Sequence, residues 1–371
     1  MAMPRARRLA PFAFRLAATA ACFALAFLAA ALARAAIRRV PVEGQVIIVL
    51  PPRLVAGQPA TLAVFGVDGK LAPDVDVVLH AVPRDVSLNV RTNSTGRVSF
   101  IAPAAGSAVI ANSEGASAAA LLDPPPPAAA SGNAAAPLRL APVVSLRDAF
   151  PICGGGFRGD ANENHVKINV EVSLILAASP ECLVVIAPSN MPPGPAKIAV
   201  ESADSQFVGE TTLVSLGFAA PTPPLALAKR SVLQLRVEGS EQRLRVTVRN
   251  ESPDVLRFVK GDVQELLTSG AAQNFVDISA TTLRSGDYSF RARLLPAPDA
   301  ADAARFLKIA APLAAKNQGA ALTRLAGRLA RHPRDAQKVR AQLHTQLAMI
   351  AAGPGAQDLR TLLDAADRLL E

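Results

Sequence analysis

The 371-residue chain contains no tryptophan, one tyrosine, three cysteines and four histidines, and aromatic residues make up only 4% of it. Carbohydrate-binding platforms that offer Trp or Tyr faces are therefore not expected, unless Phe or polar side chains replace them. Gly-x-Ser-x-Gly, His-Glu-x-x-His and Gly-x-x-x-x-Gly-Lys are also missing, which removes the commonest hydrolase, metalloprotease and nucleotide-binding signatures. The chain is not expected to be an enzyme, and no cofactor or metal is implied. Charged residues are sparse at 19%, yet half of the chain is hydrophobic, which disfavours extended disorder.

The N-terminus carries the clearest signal. Residues 1–15 hold Arg5, Arg7, Arg8 and Arg15 without an acid, and Leu16–Ala33 is an uncharged run of 18 residues. A basic start, an apolar core and the small-residue sites Ala31-Leu32-Ala33 and Ala33-Arg34-Ala35 make residues 1–35 a secretory signal. The run also reaches the lower limit of a membrane-spanning helix, so an uncleaved N-terminal anchor stays open beside cleavage. Either form exports the body of the protein to the periplasm or cell surface, with membrane contact only through the N-terminal segment. Cys22 is not read as a lipid-anchor site, because Thr19-Ala20-Ala21 lacks the usual Leu. Of the formal net charge of +9, residues 1–33 hold +4, and the basic excess of the remainder lies in the C-terminal half. Nucleic acid is thereby not an expected partner. Without the signal the chain keeps Cys153 and Cys182, an even pair in an oxidising compartment, and a disulfide between them is expected.

Two breaks divide the exported part. Pro124–Pro127 with the Ala/Ser/Gly residues behind it marks a linker over 124–137, stiff in its proline part. Pro221-Thr222-Pro223-Pro224 marks a second over 219–224. Residues 36–123 carry seven short strand-like runs spaced by turn residues such as Asp68-Gly69, the pattern of a β-sandwich. In this segment Gly57-Gln58-Pro59-Ala60-Thr61-Leu62, Val67-Asp68-Gly69-Lys70 and Thr92-Asn93-Ser94-Thr95-Gly96-Arg97, closed by Gly106 and Ala111, resemble the bacterial Ig-like domains of cell-surface proteins.

The 138–218 segment contains Cys153-Gly154-Gly155-Gly156-Phe157, then the strand-like Asn164-His165-Val166-Lys167-Ile168 and Leu183–Pro188, then the turn Pro193-Gly194-Pro195-Ala196. Together, in this order, they resemble the IPT/TIG family. That resemblance implies an Ig-like sandwich that binds or spaces and has no common catalytic residue. Residues 225–298 show alternation alone, Leu244, Val246 and Val248 against Arg243, Arg245, Thr247 and Arg249, and read as a third sandwich. From Asp299 the period becomes helical over 299–371. One face collects Leu322, Leu325 and Leu329, the next Val339, Leu343, Leu347 and Ile350, and the last Leu359, Leu362, Leu363, Ala366, Leu369 and Leu370. The expected fold class is mainly β, tandem Ig-like β-sandwich domains followed by a small C-terminal α-helical region docked on the sandwich.

Few residues invite chemistry. Asp160, Asn162 and Asn164 supply oxygens at alternate positions and Glu171 stands twelfth, as in a calcium loop, but His165 occupies the position that needs Gly. A solvated sandwich loop is the competing reading. Arg158-Gly159-Asp160 has the form of an integrin-type tripeptide, a three-residue match that recurs by chance. Gly154-Gly155-Gly156 is read as a turn rather than a phosphate loop, and a Cys153–His165 nucleophile pair is precluded by the disulfide. Arg324, Arg328 and Arg331 form one helical stripe, either a solvated face or a surface for an acidic partner. The sequence therefore leads to an exported, non-catalytic binding, adhesion or spacer protein of the bacterial cell envelope whose partner is another envelope or extracellular protein. The alternative is a periplasmic assembly or accessory subunit that docks through its C-terminal helices.

Overall fold

The computed structural model describes residues 46–371 apart from 68, 84–85, 127–137, 203–204, 219–224, 228–231, 241–243, 251–255, 259–272, 283–285, 289, 351–352 and 354. The signal or anchor segment, the 219–224 linker and most of the 124–137 linker lie outside the described residues.

The first sandwich packs two sheets. One holds β1 (Ile47–Val49), β3 (Pro59–Phe65) and β6 (Arg97–Ile101), antiparallel about β3. The other runs β2 (Arg53–Val55), β8 (Ala116–Asp123), β7 (Ala108–Ser113), β4 (Asp76–Val82), β5 (Val86–Arg91), with β2 and β8 parallel. Alternation on β4 sends Val77 and Leu79 inward to meet Leu54, Leu62 and Phe100. On β7 and β8 both faces are buried. Val109, Ala111, Ala120 and Leu122 fill the sandwich core, while Ala108, Ile110 and Leu121 belong to a second apolar cluster. A strand covered on both sides reads as a continuous apolar run.

The cover is the C-terminal helical region, formed by α1 (Ala300–Ala310), α2 (Lys316–Arg331), α3 (Ala336–Ala348) and α4 (Ala356–Leu370). Asp299 caps α1 by accepting the Asp302 backbone N–H at 3.0 Å. Phe306 and Leu307 of α1 and Leu359, Leu362 and Leu363 of α4 pack with Val82, Ile110 and Leu121, and α2 and α3 complete the cluster with Leu322, Leu329, Val339 and Leu343. The small side chains of Ala108 and Ala119 leave a shallow bed for the helices. The helices thus dock on the first sandwich, far away in sequence, and not simply on the β segment that precedes them.

Charge closes the rim of this interface. Arg53 on β2 donates from Nη2 to Asp302 Oδ1 at 2.6 Å, from Nε to Asp302 Oδ2 at 3.2 Å and from Nη1 to Asp123 Oδ2 at 3.3 Å. Arg305 Nη2 donates to Asp123 Oδ1 at 2.5 Å. His80 Nε2 lies 3.0 Å from Asp358 Oδ1 but outside hydrogen-bonding geometry, so this contact is an ion pair only when the imidazole is charged.

The second sandwich contains β9 (Val143–Ser145), β10 (Phe150–Cys153), β11 (Asn164–Ile168), β12 (Glu171–Val172), β13 (Leu174–Ala178), β14 (Cys182–Ile186), β15 (Gly194–Ser202) and β16 (Ser205–Phe218). Its β10-β14-β13 sheet runs on into the first sandwich through a bridge between Ala178 and Thr61. The 14-residue β16 is longer than one sandwich needs. It pairs with β15 as far as Leu213 and then, from Ser215, with β18 (Val232–Glu238) of the third segment. The second and third segments therefore share a sheet and are not separate sandwiches joined by a spacer. Beyond β18 that sheet adds β21 (Gln273–Thr282) and β20 (Leu256–Phe258). Two further antiparallel pairs join β17 (Leu225–Leu227) to β22 (Gly286–Tyr288) and β19 (Val246–Asn250) to β23 (Phe290–Leu294). In the alternating stretch Leu244 and Val246 are buried, while half-buried Arg245 donates to the backbone oxygen of Glu371 and ties this segment to the end of α4.

The first and second sandwiches abut without a gap. Buried Thr61 donates from Oγ1 to the Gly159 carbonyl at 2.8 Å and accepts the Ala161 N–H at 3.1 Å. Ser179 Oγ donates to the Arg53 carbonyl at 2.6 Å, and Arg97 Nη1 to the Ile175 carbonyl at 3.0 Å. The stiff proline segment accordingly does not hold the modules apart. Gly159 is required by close approach, since a Cβ there would stand 1.9 Å from the Pro59 carbonyl oxygen, a backbone atom that cannot swing away. Gly159→Ala is expected to cost about 2 kcal/mol and to open the junction to protease, as read by urea unfolding and limited proteolysis. An unchanged unfolding midpoint would refute this account of the junction.

Candidate anion-binding groove

The predicted stripe Arg324, Arg328 and Arg331 lies on α2, opposite the buried Leu322 and Leu329. Residues spaced three and four apart share a helix face, which sets the three guanidinium groups in a row. His332 N–H closes α2 on the Arg328 carbonyl at 2.8 Å, and Pro333 opens the 3-10 turn at Pro333–Asp335 that returns the chain into α3. Between Lys316 and Thr345 this hairpin carries seven Lys or Arg and one acid, Asp335. Asp335 accepts from Arg328 Nε at 2.8 Å and lies 3.6 Å from Lys338 Nζ. The hydrogen bond from Arg328 holds its carboxyl below the ordinary carboxylate range. Arg324 and Arg331 are exposed and have no ion-pair partner among the described residues.

A groove of about 420 Å³ runs between the two helices, with Arg324, Leu325 and Arg328 on the α2 side and Gln342, Thr345 and Gln346 on the α3 side. The α3 residues are again three and four apart, so one wall is cationic and the other neutral and hydrogen-bonding, over an apolar floor at Leu325. Gln318 Nε2 donates to the Gln346 carbonyl at 2.9 Å and braces the helices across the groove. Gln346 Oε1 is buried and has no hydrogen-bond partner among the described residues. A second depression, about 440 Å³, lies at the hairpin turn among Arg331, His332, Arg334 and Asp335. The sequence exposed the cationic stripe. It gave no sign of the facing wall, because Gln342, Thr345 and Gln346 have no chemistry until α3 lies alongside α2.

The other singled-out residues are structural. Cys153 and Cys182 form the expected disulfide, directly opposite each other on β10 and β14. The thiol of Cys153 is thereby consumed, and His165 is exposed on β11. Gly155 and Gly156 follow β10 with φ of 82° and 80°, the left-handed conformation that glycine adopts without a Cβ penalty. The polar run does not form a calcium loop. Asn164 spends its amide on the Arg158 and Asp160 carbonyls at 2.8 and 2.7 Å, and its Oδ1 accepts the Arg158 N–H at 3.0 Å. Asp160 Oδ1 accepts the Asn162 N–H at 2.9 Å. Glu171 pairs with Ile168 at the far end of β11, away from these oxygens. The Arg158-Gly159-Asp160 tripeptide is seated in the junction, with Gly159 buried, and is not displayed on a free loop tip.

The strand order and the helical cover define the class: a mainly β protein of tandem Ig-like sandwiches with a C-terminal helical bundle. No family model and no curated protein matches the chain. Solved structures that the chain matches in part include SGBP-B of a Bacteroides ovatus mixed-linkage glucan utilization locus, in complex with a mixed-linkage heptasaccharide. It is 10% identical, with a TM-score of 0.18 over 69% of this chain, which spans 62% of that one, less than two thirds of its length. The I9–I11 tandem of titin is 9% identical at a TM-score of 0.19, covering 67% of this chain and 95% of that one. The plexin A4 extracellular region is 11% identical at 0.25, covering 68% and 33%.

Proposed function

We propose that the chain is an exported, non-catalytic binding protein of the bacterial cell envelope, in which an IPT/TIG-like second module and its Ig-like neighbours serve as a rigid mount. The observation that carries this reading is the cationic α2–α3 hairpin, displayed on a bundle clamped to the first sandwich. A surface with two guanidinium groups unpaired among the described residues, beside a groove, suits capture of an acidic partner. The disulfide supports an oxidising compartment. The alternative, an assembly or accessory subunit docking through its C-terminal helices, uses the same part of the chain and is narrowed to its outer side. Leu359, Leu362 and Leu363 are already buried against the first sandwich, so only the outer polar face of the bundle is left for a partner.

Affinity capture from envelope extracts, with the full chain as bait, tests the proposal. The expected result is recovery of an acidic component, lost in Arg324→Glu/Arg331→Glu while the melting temperature stays unchanged. Recovery that is indifferent to both charge reversals would sink the hairpin as the binding surface. Residence of the chain in the cytoplasmic fraction would sink the envelope assignment.

A further inference from the structure

We infer that the α2–α3 groove takes an acidic saccharide: a sugar unit bearing a carboxylate or comparable anion next to free hydroxyls. This rests on the reading of the hairpin as the binding surface of an exported chain.

The groove carries two kinds of recognition on opposite walls. Arg324 is exposed and has no ion-pair partner among the described residues, and Arg328 beside it keeps donor capacity after its bond to Asp335. Guanidinium forks match carboxylates through paired N–H donors, and binding in pairs adds direction as well as attraction. No carboxylate lines the groove itself, and Asp335, which takes Arg328 Nε, stands outside the lining. The facing wall offers Gln342, Thr345 and Gln346, all neutral. Gln346 Oε1 is buried with no hydrogen-bond partner among the described residues, and a turn of the side chain into the groove would give it one. The Gln342 and Gln346 amides and the Thr345 hydroxyl each offer both donors and acceptors, so this wall is complementary to groups that do the same. A sugar hydroxyl does both, whereas phosphate or carboxylate oxygens only accept. At about 420 Å³ the groove lies in the range of small-ligand sites.

The same features argue against a lipid surface as the target. A helix that seats itself in a bilayer presents an apolar face with Trp, Phe or Leu to the acyl boundary. Here Leu322, Leu325 and Leu329 are turned inward, and the exposed side holds Arg324, Arg331 and Arg334. Aromatic stacking is absent from the groove lining as well, so recognition works through charge and hydrogen bonds.

The test is calorimetric titration of the full chain with four probes: a short oligogalacturonate, its methyl ester, inorganic polyphosphate, and phosphatidylglycerol vesicles. Oligogalacturonate is expected to bind, and the ester, which keeps every hydroxyl but loses the charge, about tenfold or more weaker. Arg324→Ala should weaken oligogalacturonate binding about tenfold, and Gln346→Ala about fivefold, with unchanged melting temperatures. Polyphosphate should bind less tightly and ignore Gln346→Ala. The inference is overturned if the ester binds as well as the acid, if polyphosphate or the vesicles bind as tightly as the acid sugar, or if none of the probes binds. Capture of an envelope protein through the hairpin, without galacturonate binding, overturns this inference and spares the binding-protein reading. Galacturonate binding by a chain that never leaves the cytoplasm does the reverse.

Discussion

Asp302→Ala is expected to lower the stability of the chain by about 3 kcal/mol, the low end for removing one partner from a buried ion network. Asp302 is only 10% exposed at its side chain and joins β2 to α1 through both Nε and Nη2 of Arg53. Burial pushes its carboxyl above the ordinary range and nearby Asp299 adds to this, against the pull of Arg53 and Arg305. Burial also works against the charge of Arg53, but Asp302 and Asp123 outweigh it and raise that pKa. The network is thus costly to assemble and costly to break, because the variant leaves a half-buried guanidinium with Asp123 alone. A double-mutant cycle with Arg53→Met separates the two effects. The pair should cost clearly less than the sum of the single changes, and simple additivity would show that the contact carries no coupling. The pH dependence has a definite sign. A carboxyl whose folded pKa is raised adds stability as pH falls through the window between that value and the ordinary 3.8, so mild acid does not release the bundle through Asp302. A urea midpoint series between pH 7 and 4 in wild type and Asp302→Ala reads the difference, which should grow toward the acid end.

Opening the Cys153–Cys182 bridge is expected to cost about 3.5 kcal/mol. The two cysteines are 29 residues apart, and the cross-link removes that loop's closure entropy from the unfolded chain. The loop contains β11, β12 and β13, and with them the residues that touch the first sandwich at Gly159, Ala161 and Ile175. Reduction should therefore weaken the junction as well as the second sandwich. Urea unfolding with and without reductant measures the loss, and Cys153→Ser/Cys182→Ser should match the reduced wild type. Two thiols open to alkylation between residues 36 and 371 in unfolded but unreduced protein would contradict the bridge.

Much of the fold is legible where contacts are local. Turn dipeptides and strand-like runs gave most strands of the first two sandwiches, though not β2 or β10, Asp299 gave the start of α1, and Leu spacing gave the buried faces of α2 and α4. What sequence pattern alone could not carry was the pairing of surfaces. The burial of Ala108 and Ile110 on the outer face of β7 looks, in sequence, like any core strand, and only the matching apolar stripes of α1 and α4 explain it. Arg53 and Asp302 are 249 positions apart with no local signature on either. The polar run at 158–164 suggested oxygen ligands because Asn and Asp serve ligands and backbone alike. In the fold their oxygens and amides are spent on the chain itself. For the groove, the cationic wall was readable and its neutral partner was not.

The seating of the C-terminal helices on the first sandwich has a consequence for the order of assembly. In N-to-C synthesis the face made by Ala108, Ile110 and Leu121 is complete long before the helices that shield it, which begin only at Ala300. Until nearly the whole chain has been made, that face is bare to solvent and to neighbouring chains, the kind of exposed intermediate that invites aggregation. Contacts this distant in sequence are also slow to form, because a long loop must close before they repay its entropy. Shortening the chain at residue 299 would therefore do more than delete the helical hairpin: it would leave every molecule in its unfinished, adhesive state.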